Sequence, residues 1–266
     1  YVTVNVYPHN EELADLPGYL RHLAEIAADA ILVSDLGVFS VARDVVPTLP
    51  VHISTQANTV NWAAAEAWRK LGAARVVLAR EMSREEILDV RRKTTVELEM
   101  FVHGAMCISY SGRCLISSYL TGRDANRGSC AQPCRWRYHL VEEERPGQVF
   151  PVEEDDHGTY FFNSKDLCLL PHLSEVMESG VDSLKIEGRM KSVHYVASVV
   201  KTYRAAIDAY LRAPARFSVR PAWLEELEKV SHRAYTAGFF LGATGAADQI
   251  YGTSSYQQTS VFVGVV

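Results

Sequence analysis

All five cysteines of the chain lie between residues 107 and 168. They are Cys107, Cys114, Cys130, Cys134 and Cys168, with the spacing C-x6-C-x15-C-x3-C-x33-C. Four thiolate ligands select zinc or an iron–sulfur cluster. The spacing is that of neither a ferredoxin nor a double-CxxC zinc ribbon, and packing as small buried apolar residues is the alternative role. Because the cysteines lie among Gly, Ser and Arg, we expect them to bind a metal.

A second group of candidates consists of polar residues near the ends of predicted strands. On the carboxyl rim of a β/α barrel, such side chains bind small anions or act on a substrate, although ordinary salt bridges are the alternative for each. The candidate catalytic residues are Arg80, His103, Lys185, Glu187 and Arg189. Further polar residues of this kind are Gln56, Asn58, Glu81, Lys165 and Asp166. The two arginines are favoured for a small dicarboxylate, because a guanidinium group binds carboxylates through paired hydrogen bonds.

The elements that must position these residues alternate between strands and helices. The predicted strands are Tyr1–Val6, Ile31–Asp35, Val51–Thr55, Arg75–Ala79, Val96–Val102 and Ser183–Glu187. Predicted helices cover Glu11–Ala28 and Asn61–Leu71, and a long helix follows the sixth strand. Ahead of Ile87–Arg92, Ser83 and Glu86 have the spacing of a capping box, which marks the start of another helix. Strands rich in Val and Ile, joined by helices, indicate a parallel sheet with helical crossovers.

The fold class we predict is α/β, an incomplete (β/α)8 barrel of the TIM type that lacks its first strands. Residues 1–213 form the partial barrel, with a Cys-rich insertion over residues 104–180 that contains an exposed acidic loop or hairpin tip, Glu142–Gly158. Residues 214–266 form a C-terminal extension with a helix over Pro221–Val230, and Val261–Val266 begins a small β domain. The pattern alone does not distinguish a closed barrel from an open sheet.

Composition limits the partners. The net charge is -5, so any nucleic-acid contact must come from a local patch. A basic and aromatic set surrounds the cysteines: Arg113, Arg123, Arg127, Arg135, Arg137, Lys191, Tyr110, Tyr119, Trp136 and Tyr138. Such a set suits a single-stranded RNA loop, and solvated arginines beside core aromatics are the alternative.

The compartment follows from the cysteine count and from the hydropathy of the chain. The number of cysteines is odd and no secretory signal precedes them, so we expect reduced thiols and a cytoplasmic location. No apolar run is long enough to cross a bilayer, and we expect no membrane partner. The chain opens at Tyr1 within a strand-like stretch, so we expect it to be part of a longer protein. The oligomeric state is not evident from the sequence.

Glu99–Ser117 reads EMFVHGAMCISYSGRCLIS and resembles the signature of the peptidase U-32 family at every specified position. Ser54–Asn61, Asn126–Tyr138, Asn163–Cys168, Lys185–Ser192 and Ser231–Gly242 are similar to the same family. The resemblance covers nearly the whole chain and is strongest to the branch of tRNA 5-hydroxyuridine synthases. It implies hydroxylation of a wobble uridine in the tRNA anticodon loop, linked to prephenate as a possible co-substrate.

The resemblance also implies a ligand set. Cys107, Cys114, Cys130 and Cys168 take the positions that hold a [4Fe-4S] cluster, with Cys134 as an alternative ligand and zinc as an alternative metal. Some members of the family are collagenase-like proteases, so a peptidase is the alternative function. The chain has neither an HExxH helix nor a G-x-S-x-G elbow. A peptidase would use His103 as the base for a Cys107 nucleophile, and this role competes with metal binding for the same sulfur atom.

Overall fold

The computed structural model describes residues 1–106, 114–125, 127–136, 139–141, 149–151, 165–189 and 191–242. The strands in these ranges are β1 (Val2–Val4), β2 (Ile31–Val33), β3 (Val51–Ile53), β4 (Arg75–Val77), β5 (Glu97–Ala105), β6 (His139–Val141), β7 (Val149–Pro151), β8 (Asp166–Cys168), β9 (Ser183–Ile186) and β10 (Tyr235–Thr236). The helices are α1 (Leu16–Glu25), α2 (Leu36–Val45), α3 (Trp62–Leu71), α4 (Arg84–Lys93), α5 (Ile116–Thr121), α6 (Leu173–Glu178), α7 (Val193–Arg212) and α8 (Pro221–Glu228).

The main sheet runs in the order β1-β2-β3-β4-β5, and every neighbouring pair in that run is parallel. Strands β2 and β3 are buried at every residue, as expected for strands of a parallel sheet that are covered on both faces. Side-chain caps begin several helices: Asp35, Asn61, Ser83 and Ser192 each accept a main-chain N–H of the first turn.

Strand β5 connects the parallel run to the other strands. Its first part pairs with β4, its middle pairs in parallel with β9, and its last three residues pair antiparallel with β8. Strand β10 then adds to β8 in parallel. The register with β9 shifts between Phe101 and His103, as at a β-bulge, where β5 begins to pair with β8. The sheet is therefore mixed at this side.

The alternating strands and helices are confirmed at all six predicted strands and at the capping box of α4. The first helix begins later than predicted, at Leu16, because residues 10–15 form turns ahead of Pro17. Helix α2 and strand β8 were not predicted at all. Strands β6 and β7 pair as a separate antiparallel ribbon, and most of the predicted acidic loop lies outside the described residues.

Two architectural predictions stay predictions. Within the described ranges, no pairing between β9 and β1 joins the two sides of the sheet into a closed barrel. The predicted strand at Val261–Val266, and with it the small β domain, lies outside the described residues. In the part of the chain that the structure describes, no helix is long and apolar enough to cross a membrane.

Candidate functional site

Polar side chains gather where β1, β2 and β3 end. The Gln56 side-chain oxygen accepts hydrogen bonds from the Asn5 amide and, at 3.4 Å, from the Ser34 hydroxyl. The Tyr7 hydroxyl donates to the main-chain oxygen of Gln56 at 2.6 Å. The Asn58 amide donates to the same oxygen at 2.9 Å, from a left-handed backbone conformation. Carboxyl ends of parallel strands are where β/α proteins bind their ligands.

Gln56 and Asn58 were predicted from their place after β3, whereas Asn5, Tyr7 and Ser34 were not. The sequence did contain a signal for Asn5 and Ser34, because they are polar residues that directly follow β1 and β2. The structure thus brings side chains from three strand ends into one hydrogen-bonded group.

Part of the Cys-rich insertion lies over this rim. We call residues 114–125 and 127–136 the rim segment. Arg127 Nη2 donates to Glu12 Oε1, at 2.5 Å, in the loop between β1 and α1. At Gly128, whose φ is +76°, an added Cβ would lie 3.3 Å from Arg189 Nη1, beyond the end of β9. The rim segment therefore contacts the loops that follow both β1 and β9.

Ser117 fastens the rim segment to itself. Its hydroxyl is fully buried, donates to the main-chain oxygen of Arg123 at 2.7 Å and accepts the N–H of Ala131 at 2.9 Å. The first bond closes the end of α5, and the second draws in the chain beside Cys130. Ser117 thereby links the stretch that contains Cys114 to the stretch that contains Cys130.

Cys168 has a different environment, in strand β8. It is buried and directly opposite His103 of β5, so the two side chains share one face of the sheet. Burial raises the pKa of the Cys168 thiol to about 11, although the neighbouring Tyr203 hydroxyl acts in the other direction. Without a metal this thiol therefore keeps its proton. A bound metal ion would favour the thiolate.

His103 lies in an enclosure of tyrosines instead of on the open rim. Its ring centroid is 6.1 Å from that of Tyr195, 5.5 Å from that of Tyr203 and 5.3 Å from that of Tyr235. Burial lowers the pKa of His103 to about 3, so the imidazole is neutral at physiological pH.

The β-bulge explains this position of His103. Phe101 pairs with Lys185, whereas His103 pairs with the next residue, Ile186. In a regular strand, Phe101 and His103 would point to the same face, because they are two residues apart. The extra residue at the bulge places His103 on the opposite face, beside the tyrosines of α7.

Lys185 and Arg80 lie near the ring of Phe101. Lys185 Nζ pairs with Glu99 Oε1 at 3.0 Å, and its nitrogen is 5.5 Å from the centroid of that ring. Arg80 stacks over the ring, with its Cζ 3.8 Å from the centroid. Glu99 also pairs with Arg75 at 3.1 Å. Lys185 thus belongs to a partly buried ion network around Glu99, and Arg80 is held against an aromatic face.

Glu187 and Arg189 follow β9 directly. The side-chain oxygen Oε1 of Glu187 accepts the main-chain N–H of Arg189 at 3.1 Å, and the Arg189 side chain is exposed beside Gly128. Burial raises the pKa of Glu81, which follows β4, above its ordinary range. These residues surround the same rim as the amide group around Gln56, but on the side of β4 and β9.

One predicted ligand, Cys107, lies outside the described residues, together with Tyr110, Arg113, Arg137 and Tyr138. Among the residues that the structure does describe, no three His, Cys, Asp or Glu side chains form a group that could hold a metal ion. The donor chemistry fits a soft metal, since Cys114, Cys130 and Cys168 are thiols outside any disulfide. The set of four stays a prediction.

The chain is similar to a known protein family and to several known proteins. A family model described as Peptidase family U32 matches residues 1–250. The tRNA hydroxylation protein P1 of Bacillus subtilis is 44% identical over 266 residues, covering 100% of this chain and 63% of the relative. The tRNA hydroxylation protein P of Escherichia coli is 40% identical over 279 residues, covering 90% of this chain and 61% of the relative.

A third relative acts on a different RNA. The 23S rRNA 5-hydroxycytidine C2501 synthase of Escherichia coli is 33% identical over 245 residues, which cover 90% of this chain and 36% of the relative. The chain thus spans less than two thirds of the length of each of these three relatives.

Proposed function

Because the chain belongs to peptidase family U32, we propose that its protein hydroxylates a uridine of tRNA. The observation that carries the proposal is the 44% identity to a tRNA hydroxylation protein over the full 266 residues. The product we propose is 5-hydroxyuridine at the wobble position of the anticodon loop. Because the matched relatives are longer than this chain, the complete protein is the unit to which the activity belongs.

Replacing the C5–H bond of uracil by C5–OH is a two-electron oxidation, so the reaction needs a two-electron acceptor, and a protein-bound redox group is one means of carrying the electrons to it. We propose that Cys107, Cys114, Cys130 and Cys168 hold a [4Fe-4S] cluster, with Cys134 as the alternative ligand. When bound, such a cluster supplies a centre that transfers electrons. Zinc is the alternative metal, and it has no redox chemistry of its own. The link that Ser117 makes between the Cys114 and Cys130 stretches supports part of this set.

The proposed co-substrate is prephenate or another small dicarboxylate. Arg189 is the better placed of the two arginines, because its side chain is exposed beside the rim segment. Arg80 is fixed by its stacking on Phe101, which orients the guanidinium group and shields one of its faces. Glu187 holds the main chain at Arg189 through its carboxylate.

His103 and Lys185 have positioning roles in this proposal. A neutral imidazole enclosed by tyrosines cannot exchange protons with a substrate in solution, but it packs beside Cys168 and fixes the strand that carries it. Lys185 is paired with Glu99 and helps to keep that carboxylate ionised within the sheet. Both residues act through others instead of contacting the uracil.

The test is the 5-hydroxyuridine content of tRNA from a strain that lacks the gene, complemented with the full-length wild type or with cysteine variants. Wild type should restore the nucleoside, whereas Cys114→Ala and Cys168→Ala should not. Cys134→Ala is the matched comparison and should retain activity if Cys130 is the third ligand. Failure of the wild-type gene to restore 5-hydroxyuridine would refute the proposal.

A peptidase is the second candidate, favoured by the description of the family model. It would need a histidine base for Cys107, and the buried neutral His103 lies under α7 instead of facing the rim. Purified full-length protein incubated with denatured collagen distinguishes the two functions. Cleavage that depends on Cys107 but survives Cys168→Ala would favour the peptidase.

A further inference from the structure

Helix α5 buries a polar residue and exposes apolar ones, the reverse of an ordinary surface helix. Its buried residue is a serine, Ser117, whereas Leu115 at its N-cap is 75% exposed and Tyr119 is 88% exposed. Leu115 and Tyr119 are four residues apart, so they lie one turn apart on the same face. Leu120, next to them, is also exposed. Burying a large apolar side chain stabilises a protein by about 1.5–3 kcal/mol, so a helix that exposes three of them presents a binding surface.

An exposed tryptophan lies in the same part of the molecule. The turn Pro133–Arg135 packs against α5, and Trp136, which follows the turn, is 47% exposed. We call Leu115, Tyr119, Leu120 and Trp136 the α5 surface. It contains two aromatic side chains with accessible faces, which is the chemistry on which nucleobases stack.

The charge around the α5 surface favours a polyanion. Residues 114–136 contain three arginines and one aspartate, a formal charge of +2 that the ion pair of Arg127 with Glu12 lowers to +1, in a chain whose net charge is -5. Arg123 follows the C-cap Gly122 of α5, and its side chain is exposed. A basic, aromatic patch on an acidic protein suits single-stranded RNA, where phosphates need positive charge and unpaired bases need stacking partners.

The position of the surface matches the need to bring a base to the rim. The same segment is fastened to Glu12 through Arg127 and lies against Arg189 at Gly128. A nucleotide held on α5 would therefore be close to the carboxyl ends of the strands. We infer that the α5 surface binds the unpaired loop of the RNA substrate by stacking bases on Tyr119 and Trp136. This inference rests on the proposed function.

The experiment measures binding of a fluorescently labelled anticodon stem-loop to the full-length protein by anisotropy. Tyr119→Ala and Trp136→Ala should each weaken binding by about 5- to 150-fold, the range expected for the loss of one stacked base. Tyr119→Phe keeps the ring and should bind within twofold of wild type. The matched controls are Tyr19→Ala and Trp62→Ala, whose side chains are 45% and 42% exposed on α1 and α3. Both controls should bind as wild type does.

Salt dependence separates stacking from charge. The alanine variants at Tyr119 and Trp136 should keep the wild-type slope of log affinity against log salt, whereas Arg123→Ala should lower its magnitude by about one. Unchanged affinity in both aromatic variants, with wild type still hydroxylating tRNA, would overturn this inference alone. A large fall in their thermal midpoint would also overturn it, because the α5 surface would then be an internal contact with the rest of the protein. Absence of RNA binding and hydroxylation in the wild type would instead refute the proposed function.

Discussion

Substituting Ser117 by alanine should loosen the rim segment without unfolding the sheet. The hydroxyl makes two hydrogen bonds, at 2.7 Å to the Arg123 oxygen and at 2.9 Å from the Ala131 nitrogen. Each such bond contributes about 0.5–1.5 kcal/mol net, so the loss is about 1–3 kcal/mol. Because about 1.4 kcal/mol is a factor of ten, local opening of the segment should become roughly 5- to 150-fold more frequent.

The assay is amide hydrogen exchange of peptides that span residues 117–131, in anaerobically prepared full-length protein. Exchange in Ser117→Ala should accelerate by roughly 5- to 150-fold, and bound iron should fall because the Cys114 and Cys130 stretches are no longer fastened together. Ser118→Ala, one residue along the same helix, is the control and should match wild type. Wild-type exchange and iron content in Ser117→Ala would show that this serine does not organise the segment.

Three further predictions follow from other parts of the fold. Gly104→Ala should lower the free energy of unfolding by more than about 2 kcal/mol, because φ at Gly104 is +109° and an added Cβ would overlap the main chain of Glu187. In the matched control Gly18→Ala, in α1, the added Cβ meets no atom, so this variant should be more stable than wild type by about 0.5–1 kcal/mol. Urea unfolding measures both free energies. Glu99→Gln should cost about 3 kcal/mol and lower the thermal midpoint by roughly 6–12 °C at neutral pH. Burial alone would raise the pKa of Glu99, but its ion pairs lower the pKa below the ordinary 4.5. The stabilisation that the Glu99 carboxylate provides is therefore complete above pH 4.5 and disappears as the pH falls through the lower pKa of the folded state. A stability difference between the variant and the wild type that persists in acid would contradict this. Arg189→Lys keeps the charge but loses the paired hydrogen bonds, so steady-state kinetics should show about a tenfold higher KM for the dicarboxylate with little change in kcat, and an unchanged KM would exclude Arg189 from that site.

The parallel part of the fold was predictable because burial determines it locally. Strands covered on both faces need continuous Val and Ile, and the start of α4 follows from a serine and a glutamate three residues apart. Helix α2 was missed because its sequence, LGVFSVARDV, contains glycine and β-branched residues that are poor helix formers. The helix is stabilised instead by the Asp35 cap of its first turn and by packing of Phe39 and Ala42 in the core.

The candidate site was only partly predictable because pairing over long distances positions it. Strand β8 is three residues long, and nothing local indicates that Asp-Leu-Cys pairs antiparallel with the end of β5. One bulge determines which face carries His103, and a register shift leaves no signature in composition. The inverted polarity of α5 likewise contradicts the usual rule for helices. Residue types at strand ends predicted the rim, but their partners depended on the folded chain.

The most direct test of the account is the iron and acid-labile sulfide content of the full-length protein prepared without oxygen. Cysteines that together hold one cluster should give about four irons and four sulfides per chain, and Cys114→Ala and Cys168→Ala should each abolish most of both. Zinc in place of iron, or no metal at all in the anaerobic wild type, would contradict the claim that these thiols form a redox centre for tRNA hydroxylation.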